Sequence, residues 1–452
     1  MRQTNERLGR TLLRVATIVL GTLMTAAATP VGVAHAIDFC ACGGSPNSLG
    51  DFDLGDLTKR AGAAFNGGDA CSPVFVLQVP DDGTLVFDSF LVRSVSDTGC
   101  GTRGAILAFR RNAANTPVTI LVKSDYPVAG GSFVDVSGAG GVAGTAGAAG
   151  VGGQGGPGGF VGGDGAYQLV TFSSQGGAGV GPGGGVGAVA SPFAAAAGGT
   201  FVGVPELRPL LGGSGGGGGH SSSGSETCSA GGGGGGGGAL LIAANGTITV
   251  NGEIHANGGG GGNTRNTGCS SEASGGSGGA IRLVASTIQG SGFVKADGGG
   301  VPGNGGSAAG SSGGAGRIRL EGITNTLRVD GTSPVAIRAP APGPLVNPIT
   351  PTVKITAIDG QASPVNPTGH RGQVDLVLPA PGIVQVDLRA TDVPTGTALE
   401  VTLKPKVGAP PLSQRVTLTP ASCNAGTCNT AVSFDLAAGA YIVEARATFE
   451  TP

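Results

Sequence analysis

Tryptophan is absent from this 452-residue chain, and all aromatics together make up 4% of it. A core built here must come from Val, Ile, Leu and Ala. Charge is scarce too, at 12%, with a formal net charge of -2. No basic patch points to nucleic acid, and no acidic block points to a solvating tail. With 39% hydrophobic residues, the chain lacks the low-hydropathy, high-charge signature of disorder. No Walker A motif is present. G-x-G-x-x-G occurs many times, but carries no dinucleotide meaning without a βαβ unit. Cys40-Ala41-Cys42 lacks the usual C-x₂-C spacing of zinc ligands, and after residue 36 no His lies near it. No cofactor or metal is expected. After the first 36 residues no segment is long and apolar enough to span a bilayer.

Glycine is abundant instead: 93 residues, about three times the usual share. The amino-terminal segment reads as an export signal. Arg2, Arg7, Arg10 and Arg14 give it a positive start, an apolar run covers Val15 to Ala28, and Ala34-His35-Ala36 is a small-residue cleavage site. Cleavage is expected after Ala36. The whole chain has 26 basic and 28 acidic residues; losing those four Arg and Glu6 leaves 22 and 27, a net charge of -5. All eight cysteines remain, which in an exported chain indicates disulfides. Cys423 and Cys428 bracket the turn-rich "NAGT" and are expected to staple a hairpin. Cys228 and Cys269 sit in matching polar insertions and are paired on that ground. Cys40, Cys42, Cys71 and Cys100 then pair among themselves, Cys40 and Cys42 not with each other.

Four stretches repeat one pattern: "VTILVKSDYPVAGGSFVDVSGAGG" from Val118, "ALLIAANGTITVNGEIHANGGG" from Ala239, "AIRLVASTIQGSGFVKADGGG" from Ala280 and "RIRLEGITNTLRVDG" from Arg317. Each reads as an alternating strand, a turn, a second alternating strand, then a polar residue and glycine. Ile120, Leu240 and Ile281 mark the first strands, and Val134, Ile254 and Val294 the second, at separations of 14, 14 and 13 residues. The fourth copy, Ile318 to Leu327, is read as shortened to 9. Leu240, Ile242, Ile248, Val250, Ile254 and Ala256 are expected inside. Thr247, Thr249, Glu253, His255, Arg282, Gln289 and Lys295 are expected on a solvated face. One such pair of strands cannot bury its own apolar face, whereas stacked copies can. The glycine runs recur at one phase of the repeat, so they are read as ordered polyproline-II-like helices packed side by side rather than as linkers.

The expected fold is all-β: a short glycine-rich parallel β-helix or solenoid followed by an immunoglobulin-like β-sandwich. Residues 1–36 are the signal, 37–137 an N-terminal β region, 138–337 the glycine-rich repeats, 338–351 a Pro-rich linker and 352–452 the sandwich. Seven short alternating strands support the last part, with Val384, Val386, Leu388, Leu399, Val401, Leu403, Tyr441, Val443, Ala445 and Phe449 inward. The runs "ELRPLLGGSGGGGG", "GGSGGAIRLVASTIQGSGFVKADGG" and "GGAGRIRLEG" resemble those of a family of bacterial exported glycine-rich proteins, over roughly Pro80 to Gly331. A looser, compositional similarity is to the glycine-rich domain of a receptor kinase ectodomain and to phage adhesins with polyglycine helices. The resemblance implies short parallel β-helices with polyglycine insertions and supplies no catalytic residues.

Chemistry is sparse. Gly212-Gly213-Ser214-Gly215-Gly216 matches a nucleophile elbow in letters only, with no strand-to-helix turn expected. "GGDG" at Gly162–Gly165 occurs once, too little for calcium nonapeptides. Asn245-Gly246-Thr247 is read as a turn rather than a glycan acceptor. For glycoside chemistry the candidates are Asp135, Asn257, Asp297 and Asp330, with His255 as a base. All four lie where turns favour Asn and Asp anyway, as do Asp81 and Asp82 in "PDDGT". The function expected is that of a secreted or surface-located, non-enzymatic structural or adhesive protein contacting extracellular polysaccharide or surface proteins. The alternative is a β-helix polysaccharide lyase or hydrolase. Ice or mineral binding is weaker, since only Thr247 and Thr249 form a T-x-T pair.

Overall fold

The computed structural model describes residues 48–448, apart from Leu57 and residues 66–72, 98–100, 168–174, 191–192, 222–227, 265–270, 304–309, 346–350, 364–373 and 407–409. The signal, its cleavage site and Cys40, Cys42, Cys71, Cys100, Cys269 and Phe449 lie outside the described residues. Secondary structure is β throughout, with two short 3-10 turns and no α-helix among the described residues. No helix there is long and apolar enough to cross a membrane.

The repeats stack in parallel. Ala239–Ala244 pairs with Val118–Val122 on one side and Ala280–Gln289 on the other, and Arg317–Asn325 follows. These strands belong to an eight-stranded sheet. Phe133–Asp135, Glu253–His255, Phe293–Lys295 and Thr332–Ser333 pair likewise in a seven-stranded sheet. Alternation sends every second side chain inward, and the two sheets share one core. Leu240, Ile242, Ile248, Val250, Ile254 and Ala256 are all fully buried there. At the amino-terminal end Phe52, Phe90 and Tyr126 stack in one column at 4.3 and 4.8 Å.

The register differs from the sequence alignment in two places. Val118, not Ile120, stands opposite Leu240. Thr332, not Leu327, stands opposite Val294, so the fourth copy is not shortened; its turn is longer and its second strand less apolar. Arg282 is also not on a solvated face. It is 1% exposed, because the outer side of the sheet is covered around it. Leu210 and Leu345 pack over Leu241, Ala243 and Val284. Arg282 meets Glu321 through two hydrogen bonds of 2.9 and 3.0 Å and donates to the carbonyls of Pro344 and Leu345. Arg319 donates to the same carboxylate at 2.6 Å. Burial raises the Glu321 pKa, but these bonds and the Gly343 N–H outweigh it, and the net shift is downward. The pair straps the middle of the Pro-rich segment, Gly343–Leu345, onto the sheet.

The glycine runs form an ordered bundle. Gly232, Gly235 and Gly238 donate to the carbonyls of Val142, Ala139 and Val136. Gly233, Gly236 and Ala239 donate to Gly163, Phe160 and Pro157, while Gly234 and Gly237 donate to Ser274 and Ser277. Carbonyls follow the same period. Those of Gly231, Gly234 and Gly237 accept from Gly219, Gly216 and Gly213; those of Gly232 and Gly235 from Gly262 and Gly259; those of Gly233 and Gly236 from Gly153 and Gly156. The period is three residues, that of a polyproline-II helix. Each residue of the triplet faces a different pair of neighbours, so the run 231–238 is bonded to six other segments. A Cβ on Gly235 would overlap the carbonyl of Gln154, and one on Gly236 that of Gly213. Only glycine permits backbones this close. The bundle is continuous with the sheets: Gly238, Gly279 and Gly316 donate to Val136, Ala256 and Ala296 at the ends of successive copies.

Residues 352–448 form two antiparallel sheets, of five and four strands, around a second core. All seven expected strands are present, and Val384, Val386, Leu388, Leu399, Val401, Leu403, Tyr441 and Val443 are buried in that core. Cys423 and Cys428 are disulfide-bonded, with Cα atoms 3.9 Å apart across a hairpin. Cys228 is disulfide-bonded as well. This region is docked on the bundle by Lys404, which is 6% exposed. Its ammonium donates to Gly179 O at 2.8 Å and pairs with Glu444 at 2.8 Å, while Gly181 N donates to Glu444 at 2.7 Å.

Candidate functional site

The outer face of the seven-stranded sheet gathers most of the polar candidates. Parallel register makes columns across it. Phe133, Glu253 and Phe293 form one, and Asp135, His255 and Lys295 the next. The alternate positions Val134, Ile254 and Val294 are fully buried behind them, which fixes the strands that carry the face.

Glu253 is the hub. Lys295 Nζ and His255 Nε2 both lie 2.7 Å from its Oε2. An ionised carboxylate only accepts, so His255 Nε2 carries a proton here. Partial burial raises the Glu253 pKa, but the bonds from Lys295 and His255 outweigh it and hold the group below the usual carboxylate range. Phe133 meets the His255 ring edge-on at 5.5 Å. Lys295 and Arg328 lie over the Phe293 ring at 4.9 and 5.3 Å. Asp330, in the turn Val329–Gly331, is hydrogen-bonded to Arg328, which lowers its pKa.

The remaining candidates fill a neighbouring ladder. Asp135 accepts from Ser137 N at 2.8 Å, an Asx turn. Asn257 Oδ1 accepts from Asp297 N at 2.8 Å, and Asp297 accepts from Ser333 Oγ at 2.5 Å. Asp82 likewise caps its own turn through Thr84 N. Thus Asp135, Asn257, Asp297 and His255 do share one face, but as partners of backbone and of one another. A glycosidase acid needs a raised pKa. Glu253 and Asp330 are shifted the other way. Among the described residues the carboxyl whose pKa burial raises on balance is Asp375, which accepts from Val443 N in the antiparallel region.

The other motifs are structural. Ser214 is buried in the bundle, where its N–H donates to Ser277 Oγ and its Oγ accepts from Gly183 N. Asp164 of "GGDG" accepts from Gly152 N and pairs with Lys406 at 3.4 Å. No cluster able to hold a metal ion occurs among the described residues. An apolar cavity of about 240 Å³ lies between the bundle and Pro410–Pro411, lined by Ala178, Val186 and Val189. The sequence reading missed Phe133 and Phe293 as members of a site. Aligning "FVD", "EIH" and "FVK" across the copies would have placed both rings in one column with Glu253.

No family model matches the chain, and neither the curated proteins nor the solved structures contain a match to it.

Proposed function

We propose that the chain is an exported, cell-surface or extracellular structural or adhesive protein of the bacterial glycine-rich family it resembles. In this reading the stacked parallel copies are a short β-solenoid and residues 352–448 an immunoglobulin-like sandwich. The observation that carries the proposal is the six-way bonding of the run 231–238 to its neighbours. A body cross-linked through its backbone in every lateral direction resists local opening, and local opening is what proteases and cell-surface conditions exploit. Its task is to hold a flat, preorganised face outward, against polysaccharide or another surface protein. The lowered carboxylates of Glu253 and Asp330 support binding rather than acid-assisted cleavage. Fractionation of cells producing the full chain tests this. The expected product is outside the cytoplasm, begins at Ile37 and survives protease. Retention in the cytoplasm with residues 1–36 intact contradicts it. Release of reducing ends from polysaccharide would support the lyase or hydrolase alternative.

A further inference from the structure

We propose that the outer face of the seven-stranded sheet binds a neutral, extended β-1,4-linked polysaccharide laid along the stack across Phe133, Glu253 and Phe293. The proposal rests on the surface-presentation reading and deepens it by naming the ligand class.

Spacing is the first argument. The three residues stand on consecutive parallel strands in register, and such strands are about 4.8 Å apart. A sugar in an extended β-1,4 chain advances by close to one strand spacing. The two phenyl rings therefore fall under alternate sugars, whose ring faces point the same way. Chemistry is the second. A pyranose offers apolar C–H faces and a rim of hydroxyls. Phenyl rings receive the faces. Between them Glu253 offers a carboxylate already held by Lys295 and His255 at 2.7 Å, so acceptor and donors are fixed before the ligand arrives. Charge-assisted bonds to hydroxyls are the stronger kind, and a fixed array loses little entropy on binding. A sugar on Phe293 takes the place of the Arg328 guanidinium, which keeps Asp330 as its partner.

Charge is the third argument. On this face Glu253 is balanced by Lys295 and Asp330 by Arg328, while Asp135 and Asp297 add negative charge. No excess positive field is left to hold a nucleic acid or a sulfated chain. On the other parallel sheet the outer face is covered at Leu241, Ala243 and Val284 by Leu210 and Leu345, and its open part carries Thr247, Thr249 and Gln289 with no aromatic ring.

The test uses the purified mature protein with cellohexaose and chitohexaose in titration calorimetry. One or both hexaoses should bind, and their ratio tells whether a glucan or an acetamido polymer is preferred. Phe133→Leu and Phe293→Leu keep apolar volume but remove the ring, and each should weaken binding about three- to tenfold. Thr324→Ala, outside the face, should leave binding unchanged, and thermal unfolding of every variant should match the parent. Absence of binding by both hexaoses overturns the proposal. So does binding that survives the double Phe133→Leu/Phe293→Leu change. Extracellular location without hexaose binding overturns this site alone, whereas cytoplasmic retention overturns the surface reading whatever the hexaoses do.

Discussion

The glycine bundle and the antiparallel region solve the same problem by opposite means. Residues 352–448 are held by side chains: Val384, Val401 and Leu403 are fully buried and packed together. In the bundle, side chains are the thing excluded. Gly235 has an N–H bonded to Ala139, a carbonyl bonded to Gly259 N, and no room for a methyl group. One region gains stability by removing apolar area from water. The other gains it from backbone bonds that would otherwise go to solvent, and it must offset the large entropy of ordering glycine. The lesson is that tolerance to substitution should be reversed between them. Shrinking a side chain harms the first, and growing one harms the second.

The largest expected effect is at Gly235. Adding one methyl in Gly235→Ala forces two backbone segments apart and should cost more than about 4 kcal/mol in urea unfolding, or prevent folding. Breaking the buried pair comes next. Glu321→Gln leaves Arg282 charged in a covered site and should cost about 3 kcal/mol, read as a lower denaturation midpoint. In the antiparallel region Val401→Ala removes two methyls and should cost about 2 kcal/mol, less than the single methyl added at Gly235. If Val401→Ala proves the worse of those two, the comparison breaks.

A smaller effect concerns acid. The folded-state pKa of Glu253 is lowered, so its contribution is present above its unfolded value of about 4.3 and is lost as pH falls through the folded value. It is partly exposed, so the contribution is under about 1 kcal/mol. Thermal midpoints from pH 6 to pH 3 should fall slightly less in Glu253→Gln than in the parent. The smallest effect sharpens the contrast. Gly300 has open space where a Cβ would go, so Gly300→Ala should change stability by no more than about 0.5 kcal/mol.

Alternation made the inward residues legible: Leu240, Ile254 and Val401 are buried where period two puts them. The antiparallel strands were legible for the same reason. Register was less so, because the apolar run "VTILV" fits two alignments, and only the stack chooses Val118 over Ile120. The burial of Arg282 was hidden because its cover comes from Leu210 and Leu345, both distant in sequence. The clamp of Lys404 on Gly179 joins positions 225 apart. The packing of the glycines left one local trace, the triplets in "VGGQGGPGGF". There Val151, Gln154, Pro157 and Phe160 recur every third residue. Within the uninterrupted run 231–238 a period of three cannot be seen, since every residue is the same.

The N–H groups of Gly232–Gly238 all donate to neighbouring carbonyls, so in amide hydrogen exchange they should be protected as well as those of the adjoining strand Ala239–Ala244. Exchange at the rate of a free glycine peptide would contradict an ordered bundle.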